Sequence, residues 1–150
     1  MKTERAVAPS RGLHVGLWTV QILLACLFFI AGVMKTSQPI DQLATALPWT
    51  RDVSVGLVRF IGISEIIGAL GLVLPAATRI APRLTGLAGF GLALVMALAI
   101  GFHATRGEYS MMPLPIALFL LVGFVAWGRL FRAPIAPGGV SRPTGPAARV

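Results

Sequence analysis

The chain reads as an all-α integral membrane protein, a bundle of four spanning helices, and three observations carry that reading. Of its residues 56% are hydrophobic and only 12% charged. The charged residues gather between four long apolar runs, and each run has roughly the 20 residues needed to cross a hydrocarbon core about 30 Å thick. The runs are Val15 to Met34, Val53 to Leu74, Leu84 to Phe102 and Tyr109 to Gly128. They divide the chain into a head (1–12), a four-span domain (13–131) and a basic, Pro- and Gly-rich tail (132–150) expected to be disordered.

The first span follows a basic head, so a signal peptide or a lipoprotein site at Leu23-Leu24-Ala25-Cys26 is the alternative. The apolar run continues past Cys26 through Phe28, Phe29 and Ile30 to Met34, which makes a full span the better reading. Orientation follows from the basic residues, which accumulate in short cytoplasmic loops. Lys2, Arg5, Arg11, Arg79, Arg83, Arg129, Arg132, Arg142 and Arg149 fall on one side, against Lys35, Arg51 and Arg106 on the other. Both termini are therefore expected in the cytoplasm, an N-in/C-in bundle in a bacterial inner membrane. The net charge of +8 is then a topology signal with some attraction to anionic lipid headgroups. Nucleic acid is not the expected partner, since the basic residues are dispersed at helix ends.

The first connection, Thr36 to Asp52, has structure of its own. Pro39 suits a first helical turn, and Ile40, Leu43, Ala44 and Leu47 recur at helical spacing before Pro48. A short interfacial helix is expected, either a connector lying on the membrane with Trp49 as its anchor or a lid over the bundle.

The second span holds the most informative residue, because Glu65 places a carboxylate near the middle of a stretch that crosses the bilayer. An ionisable group there costs at least a few kcal/mol, so it is paired, wetted or used. Gly62, Gly68 and Ala69 share its helical face, which points the acid into the bundle. In the third span Gly89, Ala93, Ala97 and Gly101 repeat every fourth residue as a packing face. Lys35 ends the first span, Arg59 lies in the first turns of the second and His103 ends the third, so the three are expected as a basic rim above Glu65. Arg59 lies six residues from Glu65 and is not a direct i to i+4 partner. Gln21 is too deep in the first span to join them. The ordinary alternatives are snorkelling to the headgroups for Lys35 and Arg59 and a helix cap for His103.

Other chemistries are poorly served. A dithiol-disulfide cycle needs two cysteines, and the one present, Cys26, is expected to be a buried packing residue. The two histidines, His14 and His103, are expected at opposite faces, so no metal-ligand cluster is expected.

Several elements now carry a resemblance: Ala31-Gly-Val-Met-Lys35, Arg59-x5-Glu65-x-x-Gly-Ala-x-Gly-Leu-x-Leu-Pro75, His103 with Gly107-Glu108, and Gly128-Arg129. Together, from about Gly16 to Arg132, they resemble the DoxX-like family of small membrane proteins. The resemblance implies a four-helix membrane fold. The family takes its name from a subunit associated with thiosulfate oxidation coupled to quinone, and related members are linked to membrane oxidoreductase complexes and to oxidative-stress or thiol handling.

The leading functional expectation is a quinone-linked or redox-associated membrane subunit. Glu65 is then a proton carrier, and Lys35, Arg59 and His103 polarise a carbonyl oxygen or hold an anion. No haem, flavin or iron–sulfur motif is recognisable, so electrons would come from a redox partner protein or a small substrate. The alternatives are a transport or small-ligand binding protein, narrow unless a homo-oligomer supplies more helices, and a structural partner whose polar residues only fix helix order. Membrane lipids are partners in every reading.

Overall fold

The structure, a computed structural model, describes residues 11–138; the head before it and the tail beyond Gly138 lie outside the described residues. All regular elements among the described residues are helical. They are α1 (Arg11–Ser37), α2 (Ile40–Ala46), α3 (Val55–Thr78), α4 (Arg83–Thr105) and α5 (Pro113–Trp127), with 3-10 turns at Pro48–Arg51 and Tyr109–Met111 and a closing π-helical turn at Gly128–Arg132. Four stretches are long and apolar enough to cross a membrane: Arg11–Ser37, Val55–Thr78, Arg83–Thr105 and Tyr109–Arg132. The expected four-helix membrane bundle is thus the fold, each span running a few residues further than its apolar core.

Neighbours pack in the order α1 on α3, α3 on α4 and α4 on α5, with α5 closing back on α1. One end of the bundle, the terminal face, carries the start of α1 and the end of α5. The other, the loop face, carries α2 and the α4–α5 turn. The core between them includes Leu24, Phe28, Leu72, Leu92, Val122 and Val125.

Local chemistry explains the boundaries. The Ser54 hydroxyl accepts a hydrogen bond from the Leu57 amide at 3.2 Å and so starts α3. Arg79 ends it in the left-handed region at φ 57°, where its carbonyl accepts from the Gly138 amide at 3.1 Å. Pro113 opens α5, where a missing amide proton costs nothing.

Since lipid tails are as apolar as the helices, association depends on close packing. The tightest approach joins α1 to α3. A Cβ on Gly32 would stand 2.6 Å from the Gly62 carbonyl oxygen, and one on Gly62 would stand 2.8 Å from the Gly32 oxygen. The small-residue face around Glu65 behaves as its spacing predicts, with Gly62, Gly68 and Ala69 all buried. The stripe on α4 does so only in part. Gly89 packs against Val122 and Ala126 and Ala93 is buried, but Ala97 and Gly101 are exposed. Cys26 corrects its expectation too, for it lies exposed on the outer side of α1.

The α1–α3 connection folds down onto the bundle. Leu43, Ala44 and Thr50 are buried, and Trp49 meets Phe102 of α4 edge to face at 6.3 Å.

Candidate functional site

The Gly32–Gly62 crossing brings the last turn of α1 over the middle of α3, and this carries Lys35 to Glu65. The Lys35 ammonium donates to both carboxylate oxygens, at 2.9 Å to Oε1 and 2.7 Å to Oε2. Their side chains are 8% and 3% exposed, so the pair is withdrawn from the surroundings. An isolated carboxylate at this depth is costly; one with a bonded ammonium is mutually neutralised. The pair also ties α1 to α3 thirty residues apart in sequence.

The other members of the expected rim do not join it. Arg59 donates to the backbone carbonyls of Lys35 and, at 2.7 Å, Gln38. These carbonyls end α1 and lack intrahelical partners, so the guanidinium caps the helix where its dipole is negative. Among the described residues Arg59 makes no bond to Glu65. His103 is buried on α4, but its Nδ1 lies 2.7 Å from Oε2 of Glu108. Gly68 lies against Leu92 and Gly71 against Ala88. At 1.5 Å per residue, this antiparallel register puts His103 roughly 12 Å from the level of Glu65, toward the loop face.

His103 instead belongs to a chain of charges along that face. Arg106 Nε donates to Glu108 Oε1 and its Nη2 to Asp52 Oδ2, each at 2.7 Å, while the guanidinium lies 5.2 Å from the Phe102 ring centre. Bonds from His103, then Arg106, hold the Glu108 carboxyl below the usual carboxylate range. Glu108 and Asp52, reached through Arg106, pin the turn after α4 to the connection before α3. In sequence Glu108 was visible only as part of the Gly107-Glu108 pair, and the link through Arg106 to Asp52 was hidden because Asp52 is remote along the chain.

A second polar cluster, at the terminal face, escaped the sequence reading. Arg129 and Gln21 are both buried, and Arg129 Nε donates to Gln21 Oε1 at 2.9 Å. By sequence Arg129 is a topology charge and Gln21 lies too deep to meet the basic rim. A glutamine inside an apolar run was the available signal. His14 lies near the start of α1 and His103 at the end of α4, and no group of three or more metal-ligating side chains occurs among the described residues.

Two shallow apolar grooves open outward. One, of about 300 Å³ between α1 and α3, includes Cys26, Phe29, Ala69 and Val73 in its wall. The other, of about 390 Å³ between α4 and α5, includes Phe90, Phe119 and Trp127. Ala69 stands one helical turn from Glu65, so the first groove runs beside the buried pair at a separation of about 6 Å along the axis.

Comparison with curated proteins and with solved structures finds no match. A family model described as the DoxX-like family matches residues 19–125, a stretch that includes Lys35, Arg59, Glu65, His103 and Glu108. That match covers well over half of the sequence, and the protein belongs to the DoxX-like family.

Proposed function

We propose that this protein is a redox-associated subunit of the bacterial cytoplasmic membrane, both ends cytoplasmic, in which Glu65 and Lys35 handle a proton for a lipid-soluble quinone. The observation that carries the reading is the ion pair buried at mid-span, since a carboxylate held there by one ammonium is a natural proton relay. The α1–α3 groove suits the ligand class: its wall is apolar, as a ring and prenyl tail require, and Ala69 brings it within a turn of Glu65.

A quinone takes up two electrons and two protons to become a quinol; a redox partner protein supplies the electrons, and Glu65 passes the protons one at a time, regaining each from water at a membrane face. Protonated Glu65 releases its proton toward the groove, and the Lys35 ammonium stabilises the carboxylate left behind. Arg59 positions Lys35 by holding the end of α1. His103 holds Glu108 and fixes the loop face above.

A second reading is favoured by one observation: both oxygens of Glu65 are already bonded to Lys35, as in a purely structural clamp. Mass spectrometry of organic extracts from gently purified protein separates the two. Wild type, Glu65→Gln and the swap Lys35→Glu/Glu65→Lys are compared, the swap keeping an opposite-charge pair but moving the acid to α1. Enrichment of quinone in wild type, lost in both variants, supports the relay. Equal quinone in all three, or background alone in wild type, leaves the clamp.

A further inference from the structure

The terminal face carries a buried cation, Arg129, that forms no ion pair among the described residues. Arg129 is 3% exposed and Gln21 fully buried. Arg129 Nε is bonded to Gln21 Oε1 at 2.9 Å, its Nη1 lies 3.5 Å from His14 Nδ1, and its guanidinium stacks 5.1 Å from the Trp18 ring centre. Trp18 in turn donates from Nε1 to His14 Nε2 at 3.2 Å. None of these partners is an anion, and no carboxylate among the described residues forms an ion pair with Arg129.

The donors left over are more telling. Among the described residues the buried side-chain atoms with no hydrogen-bond partner are Arg129 Nη2, Gln21 Nε2 and Thr85 Oγ1. The first two belong to groups already bonded to each other, so they open onto one place. Thr85 precedes Gly86, where an added Cβ would run into Leu130 Cγ, so this turn of α4 packs beside the closing turn that carries Arg129. Each such orphan costs about 1–3 kcal/mol, and a charged one costs more. Three such atoms at one end of the described bundle are unlike packing for stability alone, since Val at Thr85 would remove one of these costs outright.

We infer that Arg129, Gln21 and Thr85 form a binding site for a phosphate group at the terminal face. Arginine supplies the fixed positive charge and fork of donors that suit phosphate, the amide and hydroxyl supply further donors to its remaining oxygens, and Trp18 holds the guanidinium plane. Arg129 stands three residues before the end of the last span, and His14 beside it is exposed at the terminal face. The phosphate is that of a lipid headgroup or a free phosphate anion. The inference is independent of the quinone reading, since it uses none of the same residues.

The test is thermal unfolding of the full chain in a neutral detergent, titrated with phosphatidylglycerol, with diacylglycerol of the same acyl chains, or with inorganic phosphate. A ligand that binds the folded state raises Tm with concentration. The expected result is a saturable rise with phosphatidylglycerol and none with diacylglycerol. A rise with inorganic phosphate as well assigns the site to the free anion, and its absence assigns it to the lipid. Thr85→Val and Gln21→Met, which keep volume and fold, should each weaken the apparent affinity about tenfold, and Arg129→Gln should abolish the rise. No rise with either phosphate ligand in wild type overturns the proposal. So does a rise that Thr85→Val and Gln21→Met leave intact.

Discussion

Removing Lys35 should destabilise the bundle more than any other single side-chain truncation on the loop face. The ammonium meets one carboxylate oxygen at 2.7 Å and the other at 2.9 Å. At 2.7 Å two unit charges attract by about 6 kcal/mol if the effective dielectric is about 20. Much of that offsets the cost of bringing both charges out of water, so the pair as a whole adds little. Breaking it is different, because Lys35→Met leaves a carboxylate 3% exposed with no cation bonded to it. The expected loss is about 3–5 kcal/mol. Glu65→Gln should cost less, since its amide oxygen still accepts from the ammonium. In Lys35→Met/Glu65→Gln neither charge is left stranded, and stability should recover toward wild type. Reversible unfolding in mixed micelles measures the three variants, and the cycle should give a coupling of about 2 kcal/mol or more. A coupling under about 0.5 kcal/mol would refute the claim that the two charges depend on each other.

Other outcomes follow from the same geometry. Gly32→Ala puts a Cβ 2.6 Å from a backbone oxygen and 2.8 Å from Ile66 Cγ1, so it should cost about 1–3 kcal/mol by the same assay, whereas Gly91→Ala meets nothing within 4 Å and should be neutral or gain up to about 1 kcal/mol. Arg59→Met removes the donors to Lys35 and Gln38 carbonyls, and should cost about 2–3 kcal/mol with faster hydrogen exchange at the end of α1. The Glu108 carboxyl titrates below its ordinary value of 4.5, so its contribution is complete above that pH and disappears as pH falls through the lower, folded value. Limited proteolysis at the α4–α5 turn should accelerate only below about pH 4.5. Truncation after Arg132 should lower Tm because it removes fully buried Ala133 and the Gly138 bond to Arg79, while truncation after Gly138 keeps both.

How much was legible depended on the range of the interaction. Spans, the helix between Pro39 and Pro48 and the inward face of Glu65 all follow from periodicity within one segment, and each is present. The partner of Glu65 was legible as one of three bases, because topology placed Lys35, Arg59 and His103 toward the same face. The choice among them was not. Arg59 turned to two carbonyls and His103 to Glu108, since a helix end and a nearer carboxylate offered those side chains closer partners. The exposure of Cys26 and of Ala97 depended on which way each helix rotates, which a nearly uniform apolar surface does not encode.

The sequence by itself determined that four helices cross the membrane, because the bilayer demands satisfied backbone hydrogen bonds over about 20 apolar residues and little else. It also determined that an acid lies at mid-span and faces the bundle. Only the tertiary structure decided that Lys35 closes on it, that Arg59 and His103 serve the loop face, and that Arg129 reaches Gln21 from the far end of the chain. The physical reason is that these contacts depend on helix register and on backbone approach at Gly32 and Gly62, set by the simultaneous packing of four helices rather than by any one of them.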